Sequence, residues 1–411
     1  MGGLLAVYAA AGGKGAAVFS AGVAVGNVQP YFLTQADVNL DRSLTLEQQP
    51  GLAAIEGQAL QVADVFTGFI GQATAGLDIA IYDFRLLDGA LTEQIVGAVQ
   101  AAAGRGVAVR LAYDRTRQPA DGTTLKAFAD AGGDPAPVGT HTFIEAAAFP
   151  AGVEVKPIQE EAIDPGHQIM HQKYIVRDPG TPAAAVLMGS ANFTTDAWGI
   201  QDNNVLVITG EPNLAAAYEQ DFTDLWSTAV LAGTGAGDAG RVTISGLGVE
   251  YSFAPGEGRG TEDAIAGLIA SATTRIRVAS MVISSPKILQ ALADKIDAGL
   301  DVAGVYDGPE MNNVVRDWQR AAPGGASAQH LALWQTIAPH LVAKASVPFT
   351  AQGPHNFMHN KAVVADDTTS TGSFNLSANA TRNAENVLRI NSSDLAGQYA
   401  AYIDGLVQRY G

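Results

Sequence analysis

The chain has 411 residues, 47% of them hydrophobic, a formal net charge of −17 and no cysteine. That length accommodates two ordinary domains or one large pseudo-symmetric one. The missing cysteines exclude disulfides, thiolate metal sites and cysteine nucleophiles, and the acidic balance disfavours broad binding to a phosphate backbone while leaving room for a local basic groove.

No apolar run reaches the roughly 18 uninterrupted residues of a transmembrane helix. Residues 3–26 are rich in Ala and Gly but lack a basic n-region, and Lys14 interrupts them. They read as an N-terminal strand or hairpin of the mature fold rather than as a signal peptide. A bacterial-type secreted or periplasmic location is preferred to a cytoplasmic one, although the absence of cysteine fits either. Residues 28–34 read as a short strand. Asp37, Asn39 and Asp41 then alternate as at the start of a calcium loop. The pattern breaks at Arg42, where such loops need glycine, and at Gln48, where they need a bidentate glutamate. A structural Ca2+ on Asp37, Asn39 and Asp41 is one expectation, and a polar turn capping the next helix is the other.

Residues 54–75 carry a helical apolar stripe, 78–84 alternate as a strand, 91–103 form a second helix stopped by Gly104 and Gly106, and 107–113 form a strand ending at Asp114. This is a parallel βαβ unit. The order repeats: strand 249–253, helix 261–272, strand 275–283, a helix opened by Ser285 as N-cap and Pro286 at the first helical position, and strand 302–306 ending at Asp307. The matched order indicates an internal duplication. Ala- and Gly-rich residues 232–240 place the boundary near 245, giving halves 1–245 and 246–411. Segments 115–165 and 308–354 fall outside the strict repeat and carry Phe143, Phe149, Trp318 and Trp334. As loops beside the chemistry they would choose the substrate, while each aromatic taken singly reads better as filling a satellite core.

One signature occurs twice. His171 and Lys173 lead to Asp178 and then to Gly189, Ser190 and Asn192, whereas His359 and Lys361 lead to Asp366 and then to Gly372, Ser373 and Asn375. Each copy reads H-x-K-x4-D followed by G-S-x-N. Each has a second histidine four residues upstream, His167 or His355, and a matching tail that begins at Asn203 or Glu385. Residues 170–176 and 358–364 alternate as strands, so each histidine shares a face with its lysine, and Ser190 with Asn192 and Ser373 with Asn375 do the same on a second strand. Two such sets facing each other make a pocket of two imidazoles, two ammoniums and neutral donors, suited to a tetrahedral phosphate without a metal. One imidazole can attack phosphorus and the other can protonate the leaving oxygen. Asp178 and Asp366, at odd offset from the lysines, read as residues that tie strands together or pair with a catalytic base rather than touch substrate. His167 and His355 read as standing at the pocket mouth.

The paired motifs resemble the phospholipase D superfamily of phosphodiesterases, over nearly the whole chain from about residue 28. The resemblance implies an α/β fold of two homologous halves about a pseudo-twofold axis, in one monomer with one site between the halves and no required cofactor. It also implies that His171, Lys173, Asn192, His359, Lys361 and Asn375 form the phosphate site, with an acid or amide behind each histidine. Glu385 is expected behind His359, favouring its imidazolium, and Asn203 behind His171, leaving it neutral. That makes His171 the nucleophile and His359 the general acid, as the resemblance also implies, and the reverse assignment stays open. The substrate expected is a phospholipid, hydrolysed to phosphatidic acid and free head group or transferred to an alcohol, with transient membrane-surface contact. The alternatives are a nuclease of the same superfamily, which the acidic charge argues against, and a non-catalytic phosphate- or lipid-binding scaffold, which the intact motifs argue against.

Overall fold

The computed structural model describes residues 19–87, 89–115, 136–159, 168–321, 324–350 and 353–411. The first half runs β1 (Phe19–Ala21), β2 (Val28–Leu33), α1 (Leu52–Gly71), β3 (Gly76–Ile81), β4 (Phe84–Arg85), α2 (Ala90–Gly104), β5 (Ala108–Asp114), α3 (Ala136–Ala147), β6 (Val153–Ile158), β7 (Lys173–Arg177), β8 (Ala185–Gly189), β9 (Phe193–Thr194), α4 (Thr195–Gly199), β10 (Asn203–Thr209) and α5 (Pro212–Thr228). The second runs β11 (Gly240–Ile244), β12 (Leu247–Ala254), α6 (Gly258–Ser271), β13 (Arg275–Ser280), α7 (Pro286–Asp297), β14 (Asp301–Asp307), α8 (Gly308–Arg320), α9 (Ala326–Ile337), β15 (Leu341–Lys344), β16 (Lys361–Ala365), β17 (Thr368–Gly372), β18 (Glu385–Asn391) and α10 (Ser393–Tyr410). Among the described residues the strands form two eight-stranded sheets, ordered β1-β2-β10-β8-β7-β3-β5-β6 and β11-β12-β18-β17-β16-β13-β14-β15, and a small β4-β9 ribbon. The two orders correspond strand for strand, so the duplication read from the sequence is the architecture. No described helix is long and apolar enough to cross a membrane.

Every residue of β7, β8 and β16 is buried, because both faces of each sheet are covered. Strand alternation divides their side chains between cores. Tyr174 and Val176 of β7, Met188 of β8 and Ala362 and Val364 of β16 join one central core with α5 and α10, shared by the two halves. Ile175 and Leu187 point the other way, onto α1 and α2, and Val363 and Ala365 point onto α6 and α7. Each large apolar side chain so buried contributes roughly 1.5–3 kcal/mol on leaving water. The expected N-cap forms: the Ser285 hydroxyl accepts the Ile288 N–H at the head of α7.

β11 pairs with β12, so the strands of the second sheet begin at Gly240, ahead of the boundary read near 245. The 308–354 segment is not a loop: α8 and α9 form a crossover into β15, which pairs parallel with β14 as β6 does with β5. Its aromatics are packed, Trp334 edge-on to Tyr306 and Trp318 against His330. In the first half Phe143 packs on Phe84, Phe149 lies against the α1–α2 core, and 116–135 and 160–167 lie outside the described residues. At the N-terminus β1 pairs antiparallel with β2 as a hairpin. In the candidate calcium loop, Asp37 and Asn39 are exposed, and the Asp41 carboxylate accepts from the Ser43 backbone and hydroxyl. The turn does not cap α1, which has Gly51 at its head and no side-chain cap; Gln49 holds it closed through the Asp41, Leu44 and Thr45 carbonyls.

The fixed letters of the two motifs have separable structural causes. Asp178 and Asp366 follow β7 and β16 with φ of 50° each, a left-handed conformation that Asp tolerates. Their carboxylates accept the backbone N–H groups of 74–76 and 273–275, which open β3 and β13. Burial alone would raise the Asp366 carboxyl, and the hydrogen bonds from Thr274, Arg275 and Thr273 overcome it and hold it well below the usual range. Asp366→Ala hands these donors, two of them on exposed residues, back to water, so it is expected to destabilise the protein by about 1–2 kcal/mol. Denaturant unfolding checks this. The same depressed pKa means that the wild-type contribution is present at neutral pH and is lost only as pH falls through the acid range. The glycines answer to close packing: a Cβ on Gly189 would stand 2.2 Å from the Asn204 carbonyl oxygen, and one on Gly372 2.0 Å from that of Asn386.

Candidate active site

The histidines precede their strands, at the seam between the halves. Met170 bridges Ala384 and Met358 bridges Asp202, each in parallel. The His171 N–H donates to the Ala384 carbonyl at 2.8 Å and the His359 N–H to the Asp202 carbonyl at 3.0 Å. Each histidine is thus strapped to the opposite half, one residue ahead of that half's tail residue. The side chains follow. His171 Nδ1 lies 2.9 and 3.0 Å from the Glu385 carboxylate oxygens, and His359 Nδ1 lies 3.1 Å from Asn203 Oδ1. The sequence reading, which put Glu385 behind His359 and Asn203 behind His171, is therefore reversed.

Both backing groups are held by the serines of their own half. Ser190 Oγ donates to Asn203 Oδ1 at 2.7 Å, and the Ser373 side chain hydrogen-bonds Glu385. Asn203 Nδ2 donates to the Ala197 carbonyl and Gln201 Oε1, which fixes its oxygen toward His359. Both histidines therefore carry hydrogen on Nδ1, leaving Nε2 for chemistry. The rings face each other with centroids 6.4 Å apart at 70°.

Lys173 and Lys361 are buried, and their Nζ atoms donate to the carbonyls of their own histidines at 2.5 and 2.6 Å. Burial, then Lys173 and Lys361, drives the His171 imidazolium well below its ordinary pKa, and burial with Lys361, Lys173 and His171 does the same to His359. Burial and Lys173 likewise push Lys361 well down. Burial lifts Glu385 to about 7 against the pull of Lys173. Asn192 and Asn375 line the cleft above the histidines, and their Oδ1 atoms are buried without a partner among the described residues. The ≈ 300 Å³ cleft thus gathers His171, Asn192, His359 and Asn375 over two lysines, with Asp178 and Asp366 remote from it.

His355 also lines the cleft: its ring stacks between Phe349 and Phe357, Nε2 lies 2.7 Å from the Thr350 carbonyl and Nδ1 3.4 Å from Asp196. His167 lies outside the described residues. Among the described residues no group of three or more His, Asp and Glu side chains is arranged to hold a metal. The sequence reading missed Tyr82, whose ring packs edge-on to His171 and 5.1 Å from Lys173 Nζ. It also missed Asp196 and Glu310, which have no counterpart in the repeated signature.

Fold and site together define a phospholipase D-like protein, with one site built from two copies of the motif. More narrowly, the chain belongs to the family described as "Cardiolipin synthase, PLD-like domain", matching it over residues 67–226 and 265–407. No match is found among curated protein sequences. Among solved structures, the chain resembles phosphatidylserine synthase of Haemophilus influenzae, with TM-score 0.56, 16% identity and coverage of 86% of this chain and 85% of that one, a likeness of fold. It also matches Nuc of Salmonella typhimurium at 28% identity over 40% of this chain and 95% of that one, with TM-score 0.29. A third match is polyphosphate kinase of Porphyromonas gingivalis at 11% identity, TM-score 0.49, covering 90% of this chain and 53% of that one.

Proposed function

We propose that the protein is a metal-independent phospholipase D-type enzyme that cleaves a phospholipid at its distal phosphodiester and passes the phosphatidyl group to water or an alcohol. The observation that carries this reading is the charge of the site: two buried lysines and two imidazoles converge, with Glu385 as the carboxylate among them. Such a site is stabilised by a phosphodiester anion.

His171 is the nucleophile in this reading, for a reason the crossed pairing supplies. When Nε2 bonds to phosphorus the ring becomes cationic, and the Glu385 carboxylate cancels that charge. Asn203 offers no charge to His359, so its imidazolium is the stronger acid, as a proton donor requires. The bound anion offsets the lysines and lets His359 take up its proton. In the first step the Nε2–P bond forms, the bond from phosphorus to the leaving oxygen breaks, and His359 delivers its proton to that oxygen. In the second, water or an alcohol attacks phosphorus, the P–N bond breaks, and His359 receives the proton.

Two outcomes test this. Phosphatidylcholine dispersed in detergent should be cleaved at the same rate with and without EDTA, and faster than single-stranded DNA. Loss of activity in EDTA, with restoration by a divalent ion, would sink the mechanism, and faster DNA cleavage would favour the nuclease. The pH profile is the second. His171 is already neutral near pH 7, and the productive enzyme holds one proton on His359 with Glu385 ionised, so kcat/KM should stay level up to about 7, where Glu385 ionises in the free enzyme, and fall above it. Glu385→Gln should move that fall to lower pH, where His359 alone titrates, and slow the reaction by about 10²-fold or more.

A further inference from the structure

The cleft has a cationic floor and an acidic rim, and the rim acids are not equivalent. Asp83 is bound in bidentate fashion by Arg85 at 2.6 Å, and Asp196 faces His355. Among the described residues Glu310 has no such partner: its Oε1 is buried and makes no hydrogen bond there. Burial and the neighbouring Asp307 push its carboxyl up to about 7, and among the described residues no cation pairs with it.

The fold fixes which end of a substrate Glu310 would meet. It sits in the first turn of α8, capped by Asp307, whose Oδ2 accepts the Met358 N–H at 2.9 Å, next to His359. The Asp307 N–H in turn donates to the Met281 carbonyl, and Met281 and Glu310 both line the cleft. Glu310 is therefore on the His359 side, where the alcohol leaves if His171 attacks. The stacked rings of Phe349, His355 and Phe357 wall the same cleft with surface that accepts methylene or N-methyl groups.

We propose that Glu310 selects phosphodiesters whose leaving alcohol bears an amine or quaternary ammonium group, by pairing with that cation while the lysines hold the phosphate. This deepens the function proposed above and rests on its assignment of the two histidines. A neutral or anionic head group leaves a buried carboxyl oxygen unmatched, and such a mismatch discriminates more strongly than a lost apolar contact.

The test compares wild type with Glu310→Gln, which keeps the shape and removes the charge. In mixed micelles the wild type should turn over phosphatidylethanolamine with a kcat/KM about tenfold or more above that for phosphatidylglycerol. The variant should lose about tenfold on the first and stay within about twofold on the second. Equal losses on both lipids would overturn the proposal, because they would mark a general structural or catalytic role. A second arm needs no turnover: calorimetric titration with phosphoethanolamine and with glycerol 1-phosphate. Wild type should bind phosphoethanolamine more tightly and Glu310→Gln should not; equal affinities in wild type would sink the inference. If neither lipid is cleaved, the phospholipase reading fails, and the calorimetry still decides the role of Glu310.

Discussion

Replacing Lys361 by methionine is expected to lower kcat/KM by about 10²–10³-fold, the equivalent of about 3–4 kcal/mol of transition-state stabilisation, while leaving the protein at least as stable as the wild type. Both halves of the expectation come from one fact. Lys361 is 3% exposed, it stands near Lys173, and burial and that neighbour depress its pKa, so in the empty enzyme its charge is a cost. Methionine keeps the volume and removes the buried charge. Lys173→Met should cost activity to a similar degree, and the double variant should cost less than the product of the two, since both act on one anion. Steady-state kinetics on a chromogenic phosphodiester and thermal unfolding of the same samples check this. Intact turnover in either single variant would contradict a shared site.

The largest qualitative effect is expected from the histidines, which should fail in different ways. His359→Ala removes the proton donor, yet a diester with a nitrophenol leaving group needs little protonation and should still phosphorylate His171, with nitrophenolate departing. With no base to activate water, that adduct should accumulate in intact-protein mass spectrometry after a rapid quench at neutral or alkaline pH. His171→Ala should give no covalent species with any substrate. Glu385 lies against His171, so Glu385→Gln in the His359→Ala background should slow adduct formation without moving it to another residue. An adduct in the His171→Ala protein would invert the assignment and leave the two-histidine mechanism standing.

The crossed pairing also shows how far sequence reasoning reached. Period-two alternation, turn residues and the repeated motif located the core strands and their correspondence, because those depend on neighbours in the chain, but they put His171, His359, Ser190, Asn192, Ser373 and Asn375 on strands, and these residues stand just before β7 and β16 or just after β8 and β17. The partners of the histidines depend on which strand ends meet across the seam. A pseudo-twofold axis is satisfied equally well by Glu385 behind His359 or behind His171, so symmetry could not choose between them. The parallel bridges Met170–Ala384 and Met358–Asp202 make the choice, and they are long-range pairings with no local signature. Asp178 and Asp366 were legible as structural because their odd offset from the lysines turns them off the site face. Glu310 was not legible at all: it sits in a crossover helix whose segment read as a loop, and a lone glutamate in a helical first turn looks like ordinary helix-dipole compensation.

The reciprocal strapping of the histidines has a bearing on ancestry. In a symmetric dimer of one repeat, whatever residue stood behind the first histidine would stand behind the second, and the two rings would be chemically identical. Each ring would have to serve as both attacker and acid, and no single substitution could improve one role without altering the other. Joining the repeats in one chain lifts that constraint. Position 385 can be Glu while its counterpart 203 is Asn, and because each reaches across the seam, a change in one repeat retunes the ring of the other. In the assignment proposed above, the asymmetry of Glu and Asn is a division of labour closed to a symmetric dimer of one repeat.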